Sequence, residues 1–451
     1  MAGRALGRAR ARAESRMGRA VVFRGWRKRG GAADLPASRR DRRAAVRRGR
    51  QTADPNGKTD VKAMLLLSLA AWAAGWTAAG QVTNAGTAET NQVRLEWTAW
   101  TGNPYRVFST PDLVESAWSN LTPEGLTFTN QKGSCTLPMG EERRFYFAIA
   151  SDYLIVDLAE GPLATQYPVS YTNDPPAGGW GDEYKTTKLV LRRVPGGTFA
   201  MGSPTNELGR DVNEPPHAVA LTKDYYVGVF EVTQKQWERV KGNWPSHFNN
   251  PTYRESRPVE AVSYHEIREN PANWAISPNW PQSSGVHADS FMGKLRAKTG
   301  QAFDLPTEAQ WEHACRAGTV TALNSGNNLT GAIADAGMAE VGRYWYNGGS
   351  DYTQSGDTSV ATAKVGSYLP NAWGLYDMHG NAWEWCLDWY ENAPAGARDP
   401  LGPASGSNRL LRGGGWGDAA GLCRSAGRLN ITPDSRFSSL GFRVVLPSDR
   451  P

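Results

Sequence analysis

Four cysteines in 451 residues exclude a disulfide-dense scaffold. Cys135, Cys315, Cys386 and Cys423 include no C-x-x-C pair and no cysteine–histidine cluster, which excludes the usual structural zinc sites. Only six histidines are present, and no spacing among them fixes a metal centre. Long apolar runs are missing as well. The best of them, Met64–Ala79, falls short of the roughly 20 residues a spanning helix needs. A uniformly basic surface is absent too, despite a net charge of +6. Residues 1–50 hold 17 basic against 3 acidic side chains and so carry +14, which leaves −8 on the rest. A nucleic-acid partner needs its basic footprint on the folded part, so that class is excluded.

Aromatics and glycine are plentiful: 18 Trp and 49 Gly. Tryptophan supplies large buried area and glycine supplies turns with positive φ, a combination that predicts a loop-rich fold hung on aromatic anchors. The segment from Val61 to Gln81 has a basic residue, Lys62, a short apolar core and small residues before a polar one, the pattern of a secretory signal at 61–80. Residues 1–60 then read as a disordered tail or a start placed too early, with translation expected from Val61. The mature chain is expected to be acidic, to have no spanning segment, and to be extracytoplasmic: periplasmic, surface-bound or secreted.

Residues 82–150 read as a small all-β, sandwich-like module. Val93–Trp97 alternates apolar and polar, Tyr105–Phe108 follows a Gly-Asn-Pro turn, and Leu126–Phe128 and Arg144–Ile149 complete the set. These runs resemble the fibronectin-like spacers of bacterial surface proteins. Residues 151–187, with Asp174-Pro175-Pro176-Ala177-Gly178-Gly179, read as a connector. A second unit, 188–447, opens on the strand pattern Lys188–Val194. Two helices are predicted in it, Thr233–Lys241 and Thr307–Ala317. Thr307 with Gln310 forms a capping box, and Gly242 ends the first helix. After residue 318, long irregular loops are expected.

Five segments recur in order across this unit: Pro195-Gly196-Gly197-Thr198-Phe199-Ala200-Met201-Gly202, Glu231-Val232-Thr233, Pro258-Val259-Glu260-Ala261-Val262-Ser263, Leu305-Pro306-Thr307-Glu308-Ala309-Gln310-Trp311-Glu312, and Asn371-Ala372-Trp373-Gly374-Leu375 through Gly380-Asn381-Ala382-Trp383-Glu384-Trp385. The chain closes with Arg412-Gly413-Gly414 and Leu440-Gly441-Phe442-Arg443. This ordered set resembles the formylglycine-generating, sulfatase-modifying-factor family. The resemblance implies an α+β, C-type-lectin-like fold with little regular secondary structure. It also implies a Ca²⁺ loop at Asp377, Gly380, Ala382 and Glu384, a ligand set of hard oxygens that calcium favours. It pairs Cys315 with Cys423 as a disulfide, with two buried free thiols as the alternative. Cys386 is expected in the core. Trp373, Trp383, Trp385 and Trp389 are expected as core and loop anchors, with a ligand groove as the other reading.

The authentic oxidases of the family carry a serine after the Gly-Gly pair and then two cysteines that hold Cu(I), a soft ion selected by soft sulfur. Here Gly415 stands for the serine, Asp418 for the first cysteine, and the loop is shorter. His217 and His379 flank family motifs, which leaves a 2-His-1-carboxylate metal site open. Two functions follow. One is an oxidase that converts a sulfatase cysteine to formylglycine, with altered chemistry and a sulfatase-type or other protein substrate. The alternative is a non-catalytic module that binds a peptide, glycan or surface partner.

Overall fold

The computed structural model describes residues 151–348, 357–392, 394 and 396–447 in full, and between 92 and 150 the backbone of six strands. The expected signal at 61–80, the Arg-rich stretch 1–60 and the Cys135 side chain lie outside the described residues. The six strands are β1 (Gln92–Thr98), β2 (Tyr105–Thr110), β3 (Ser119–Asn120), β4 (Thr127–Thr129), β5 (Lys132–Pro138) and β6 (Phe145–Ala150). They pair antiparallel as two three-stranded sheets, β1-β5-β4 and β3-β2-β6.

Residues 151–187, read in the sequence as a connector, instead supply β7 (Tyr153–Asp157) and β8 (Val169–Thr172). The turn-rich stretch around Pro175 and Pro176 is a real loop. Tyr153-Leu154-Ile155-Val156 before it is a short apolar run, and β9 (Lys188–Val194) pairs with it along its whole length. β10 (Gly197–Met201), β11 (His217–Leu221) and β12 (Tyr225–Gly228) follow. The C-terminal β20 (Val445–Pro447) returns to β12, giving a five-stranded antiparallel sheet ordered β20-β12-β9-β7-β8.

The rest is small pieces: β13 (Gly342–Arg343), β14 (His379–Gly380), β15 (Trp383–Trp389), β16 (Ala397–Arg398), β17 (Arg409–Arg412), β18 (Arg428–Ile431) and β19 (Leu440–Gly441). They make a β18-β17-β15-β19 sheet, a β10-β11-β16 sheet and a two-stranded β13-β14 pair. The architecture is therefore mixed α+β with several small sheets and few helices. Every residue of β15 is buried, because helices and loops cover both of its faces.

Five helices are described: α1 (Gln234–Lys241), α2 (Tyr264–Ile267), α3 (Phe291–Thr299), α4 (Glu308–Arg316) and α5 (Ala336–Val341). α1 and α4 sit where their capping boxes predict. Thr233 accepts from Gln236 N and Thr307 from Gln310 N, each glutamine reaching back to its cap. Gly242, with φ 78°, ends α1 in the left-handed conformation glycine favours. α2 has its own box, Ser263 with Glu266, that the sequence reading passed over. Leu191, Tyr226, Trp237, Phe291, Trp385 and Phe442 join in the main apolar core, which packs α1 and α3 on the sheets. Of the four tryptophans expected as anchors, Trp383, Trp385 and Trp389 are buried and Trp373 is half-buried. No helix among the described residues is long and apolar enough to cross a membrane.

Thr307 holds the first turn of α4 under β15. Thr307→Ala is expected to lower the unfolding free energy by about 1 kcal/mol, read as a lower denaturant midpoint at unchanged slope.

Candidate functional site

The segment after β17 turns through Gly413 (φ 99°) and Gly414 (φ 81°), conformations that L side chains rarely adopt. Gly414 is also pressed against Cys423: a Cβ there would lie 2.5 Å from its Sγ. This close approach folds the loop back so that Asp418 faces the start of β15. Asp418 Oδ2 accepts from Trp383 Nε1 at 2.7 Å and from Gly415 N at 2.9 Å. A Cβ on Gly415 would come within 3.3 Å of that oxygen and 3.1 Å of Ser439 Cβ. Gly415 and Asp418 are thus sterically coupled. The folded-back carboxylate takes the room that a side chain at 415 needs.

Asp418 is half-buried, and burial raises its pKa against the opposing hydrogen bonds from Gly415 and Trp383. Trp345 N donates to Asp418 O at 2.9 Å, and Trp345 is among the exposed large apolar residues. Trp416, fully buried against Phe248, donates from Nε1 to Ser438 O.

The structure does not form the expected Cys315–Cys423 bridge; Cys315, Cys386 and Cys423 are buried free thiols. Cys315 Sγ turns instead to Met378 O and Ser425 Oγ, each at 3.6 Å, and Cys423 Sγ lies 4.0 Å from Gly415 O. The His379 ring contacts both residues. Its Nδ1 meets Cys423 O at 2.6 Å, and its Nε2 lies 3.9 Å from Cys315 Sγ. Burial pushes the Cys315 thiol up to about 12 and the Cys423 thiol well above the ordinary range, so both stay protonated and weakly nucleophilic.

His379 is held neutral, at about 4, by burial. Its Nε2 accepts from Asn324 N at 3.0 Å, so Nδ1 carries the proton and neither nitrogen is free for a metal. His217 sits elsewhere, half-buried on β11 with Nδ1 2.8 Å from Pro215 O. The two histidines are not brought to one centre, and no cluster of three His, Cys, Asp or Glu suited to a metal occurs among the described residues. His313 is packed, as expected, between Phe199, Tyr225 and Trp373.

The loop expected to hold calcium is built around a charge imbalance. Glu384, fully buried, accepts from Arg443 Nε at 2.7 Å, Arg443 Nη2 at 2.6 Å and Trp311 Nε1 at 2.7 Å. Asp377 has φ 55° and accepts from Gly366 N through Oδ2 at 2.6 Å. Its Oδ1 is buried with no donor among the described residues. Burial holds Asp377 at about 6. Gly380 donates to Gly413 O and Ala382 donates to Glu231 Oε1, tying this loop to the one that carries Asp418.

Glu231 was not singled out from the sequence, although its Glu-Val-Thr segment was. It accepts from Asn381 and Ala382, and burial, with Asp377 and Glu384 adding to it, raises its pKa well above the carboxylate range. Arg443 is the second residue missed. Both sat inside recognised motifs whose residues have no individual signature in one sequence.

With this geometry in hand, known proteins are informative. Residues 182–447 match the profile of the sulfatase-modifying factor enzyme 1-like domain. The chain is 28% identical over 290 residues to the formylglycine-generating enzyme of Bos taurus, covering 57% of this chain and 74% of that one. It is 31% identical over 291 residues to the formylglycine-generating enzyme of Streptomyces coelicolor, covering 57% and 89%. It is also 31% identical over 273 residues to the serine/threonine-protein kinase pkn1 of Chlamydia caviae, covering 57% of this chain and 38% of that one.

Thiol titration checks the cysteine assignment directly. Without reductant, the denatured chain should react with Ellman's reagent at all four cysteines. Cys315, Cys386 and Cys423 should stay unreactive in the native protein. Two missing equivalents after denaturation would restore the bridge.

Proposed function

This chain belongs to the sulfatase-modifying factor enzyme 1-like family, and from that premise we propose that it is an exported ligand-binding member rather than a copper oxidase. One observation carries the reading: Asp418, which by resemblance falls where the family's first copper-binding cysteine belongs, is hydrogen-bonded to Trp383 and Gly415. Cu(I) wants two thiolates. The residues present do not fit it, because Cys423 is a buried thiol of raised pKa and the position opposite it is a carboxylate. What remains is a C-type-lectin-like scaffold with an acceptor on Asp418 and exposed aromatic surface at Trp345. Such a surface suits a peptide or glycan whose donor groups reach Asp418 while its apolar face stacks on the indole.

The test is turnover. Purified chain, Cu(I), oxygen and a Cys-x-Pro-x-Arg peptide should yield no aldehyde by mass spectrometry. The Asp418→Cys variant should yield none either, since one added thiol leaves Gly415 and the shortened loop in place. Aldehyde formed by the natural chain would overturn the reading.

Calcium fits better than copper. Asp377, with the backbone carbonyls of Gly380 and Ala382, would hold Ca²⁺, where it would neutralise a buried carboxylate and brace the loop. Glu384 would join only by giving up Arg443 or Trp311, which hold both of its oxygens. Support comes from the donorless Asp377 Oδ1 and from three carboxylates, Glu231, Asp377 and Glu384, around Arg443. An aspartate whose folded-state pKa is raised favours the native state at acid pH, and that contribution is lost as pH rises through about 6. Calcium should therefore raise the melting temperature more at pH 7.5 than at pH 5. In Asp377→Asn the calcium effect should shrink at both.

A further inference from the structure

β15 begins at Trp383, beside Asp418, and ends at Asp388 and Trp389, beside a separate cavity. That cavity has a volume of about 30 Å³, and its polar lining includes Asp388, Glu308 and His217. Its walls are apolar: Met201, Trp389 and Pro403 among others. Asp388 is only 4% exposed. Its Oδ2 accepts from Glu308 N at 2.8 Å, while no donor reaches Oδ1 among the described residues. Gly402 leaves that oxygen open, because a Cβ there would come within 3.0 Å of it.

Every nearby cation is already committed. Arg412 and Arg428 pair with Glu308. Arg409 pairs with Glu269, donates to Leu387 O and stacks 3.3 Å over the Trp389 ring. Asp388 is thus a buried carboxyl at a cavity wall with no ion pair of its own among the described residues. His217 adds a second acceptor. With Nδ1–H donated to Pro215 O, its Nε2 is the lone-pair nitrogen.

We propose that this cavity binds a primary ammonium group, such as the end of a lysine side chain or of a small alkylamine, with Asp388 Oδ1 as its acceptor. An ammonium carries three donors and no acceptor, which matches these acceptors. The volume admits the charged head and its first carbon, about one to two water-sized groups. The methylene stem leaves between Met201 and the prolines. An anion would meet Asp388, Glu308 and the exposed Glu391 at the rim and be repelled.

Burial first, and Glu308 next, hold the Asp388 carboxyl at about 7, against the pull of Arg409 and Arg428. His217 and Glu391 are the other titratable groups lining the cavity. A bound ammonium favours the ionised carboxyl, so affinity should rise with pH through 7 and fall only when the amine itself deprotonates near 10.

The full chain titrated with n-butylammonium should show saturable binding about tenfold tighter at pH 8 than at pH 6, following the ionised fraction of a group at pH 7. n-Butanol and butyrate should not bind. Asp388→Asn should weaken binding at least tenfold and flatten its pH dependence. A readout that needs no variant is the Met201 methyl resonance of the natural chain, which should shift on titration with the amine. Equal binding of n-butanol, an unshifted Met201 methyl, or a folded Asp388→Asn variant that binds as tightly as the natural chain would each overturn the proposal.

Discussion

A fold with so little regular ladder depends on arginine. Helices and long sheets satisfy their own backbone groups, whereas irregular loops leave carbonyls that must find donors when buried. Here guanidinium groups supply them. Arg412 donates to Ser425 O and Gly427 O while paired with Glu312. Arg443 donates to Gly228 O and Tyr376 O while paired with Glu384. Arg424 holds Gly209 O and Gly421 O along with Glu207 and Glu214. Arg268 does the same for Pro278 O and Ser283 O against Asp304. The planar fork, with five donors and a permanent charge, lets one side chain neutralise a carboxylate and pin two loops at once. Burying such pairs is not in itself strongly stabilising, but removing one partner strands the other, typically at a cost of about 3–5 kcal/mol.

That lattice also frames the loop carrying Asp418. Arg412 and Arg428 anchor it on either side, and these pair with Glu308 and Glu312 on α4. The backbone of Gly413 and Gly414, with positive φ, and the contact of Gly414 with Cys423 belong to the frame. Gly415 and Asp418 lie inside it, held to each other and to Trp383.

Much of the scaffold was legible in the sequence, and for identifiable reasons. The Thr233 cap with Gly242 at the far end, and the capping box at Thr307, placed two helices to within a residue, because the cap chemistry is local. The first strand of the large sheet was missed because a turn-rich stretch after it drew the eye from Tyr153–Val156. α2, α3 and α5 are short or weakly amphipathic and are set by tertiary packing. The state of the cysteines could not be read from spacing, since the surroundings of Cys315 and Cys423 include His379, which belongs to neither segment. Glu231 and Arg443 were invisible for the same reason: their roles exist only once the loop around Asp377 and the end of the chain have met.

The lattice also fixes an order of assembly. Arg424 pairs with Glu214 across 210 residues, Arg428 with Glu308 across 120, and Arg443 with Glu384 across 59. In each pair the cation lies later in the chain. A polypeptide emerging from its N-terminus therefore presents these three carboxylates well before their partners, whereas Arg193 meets Asp224 and Arg268 meets Asp304 within a few tens of residues. The sheet and the first helices can neutralise their own charges early, and the loops around Glu214, Glu308 and Glu384 wait for the last forty residues.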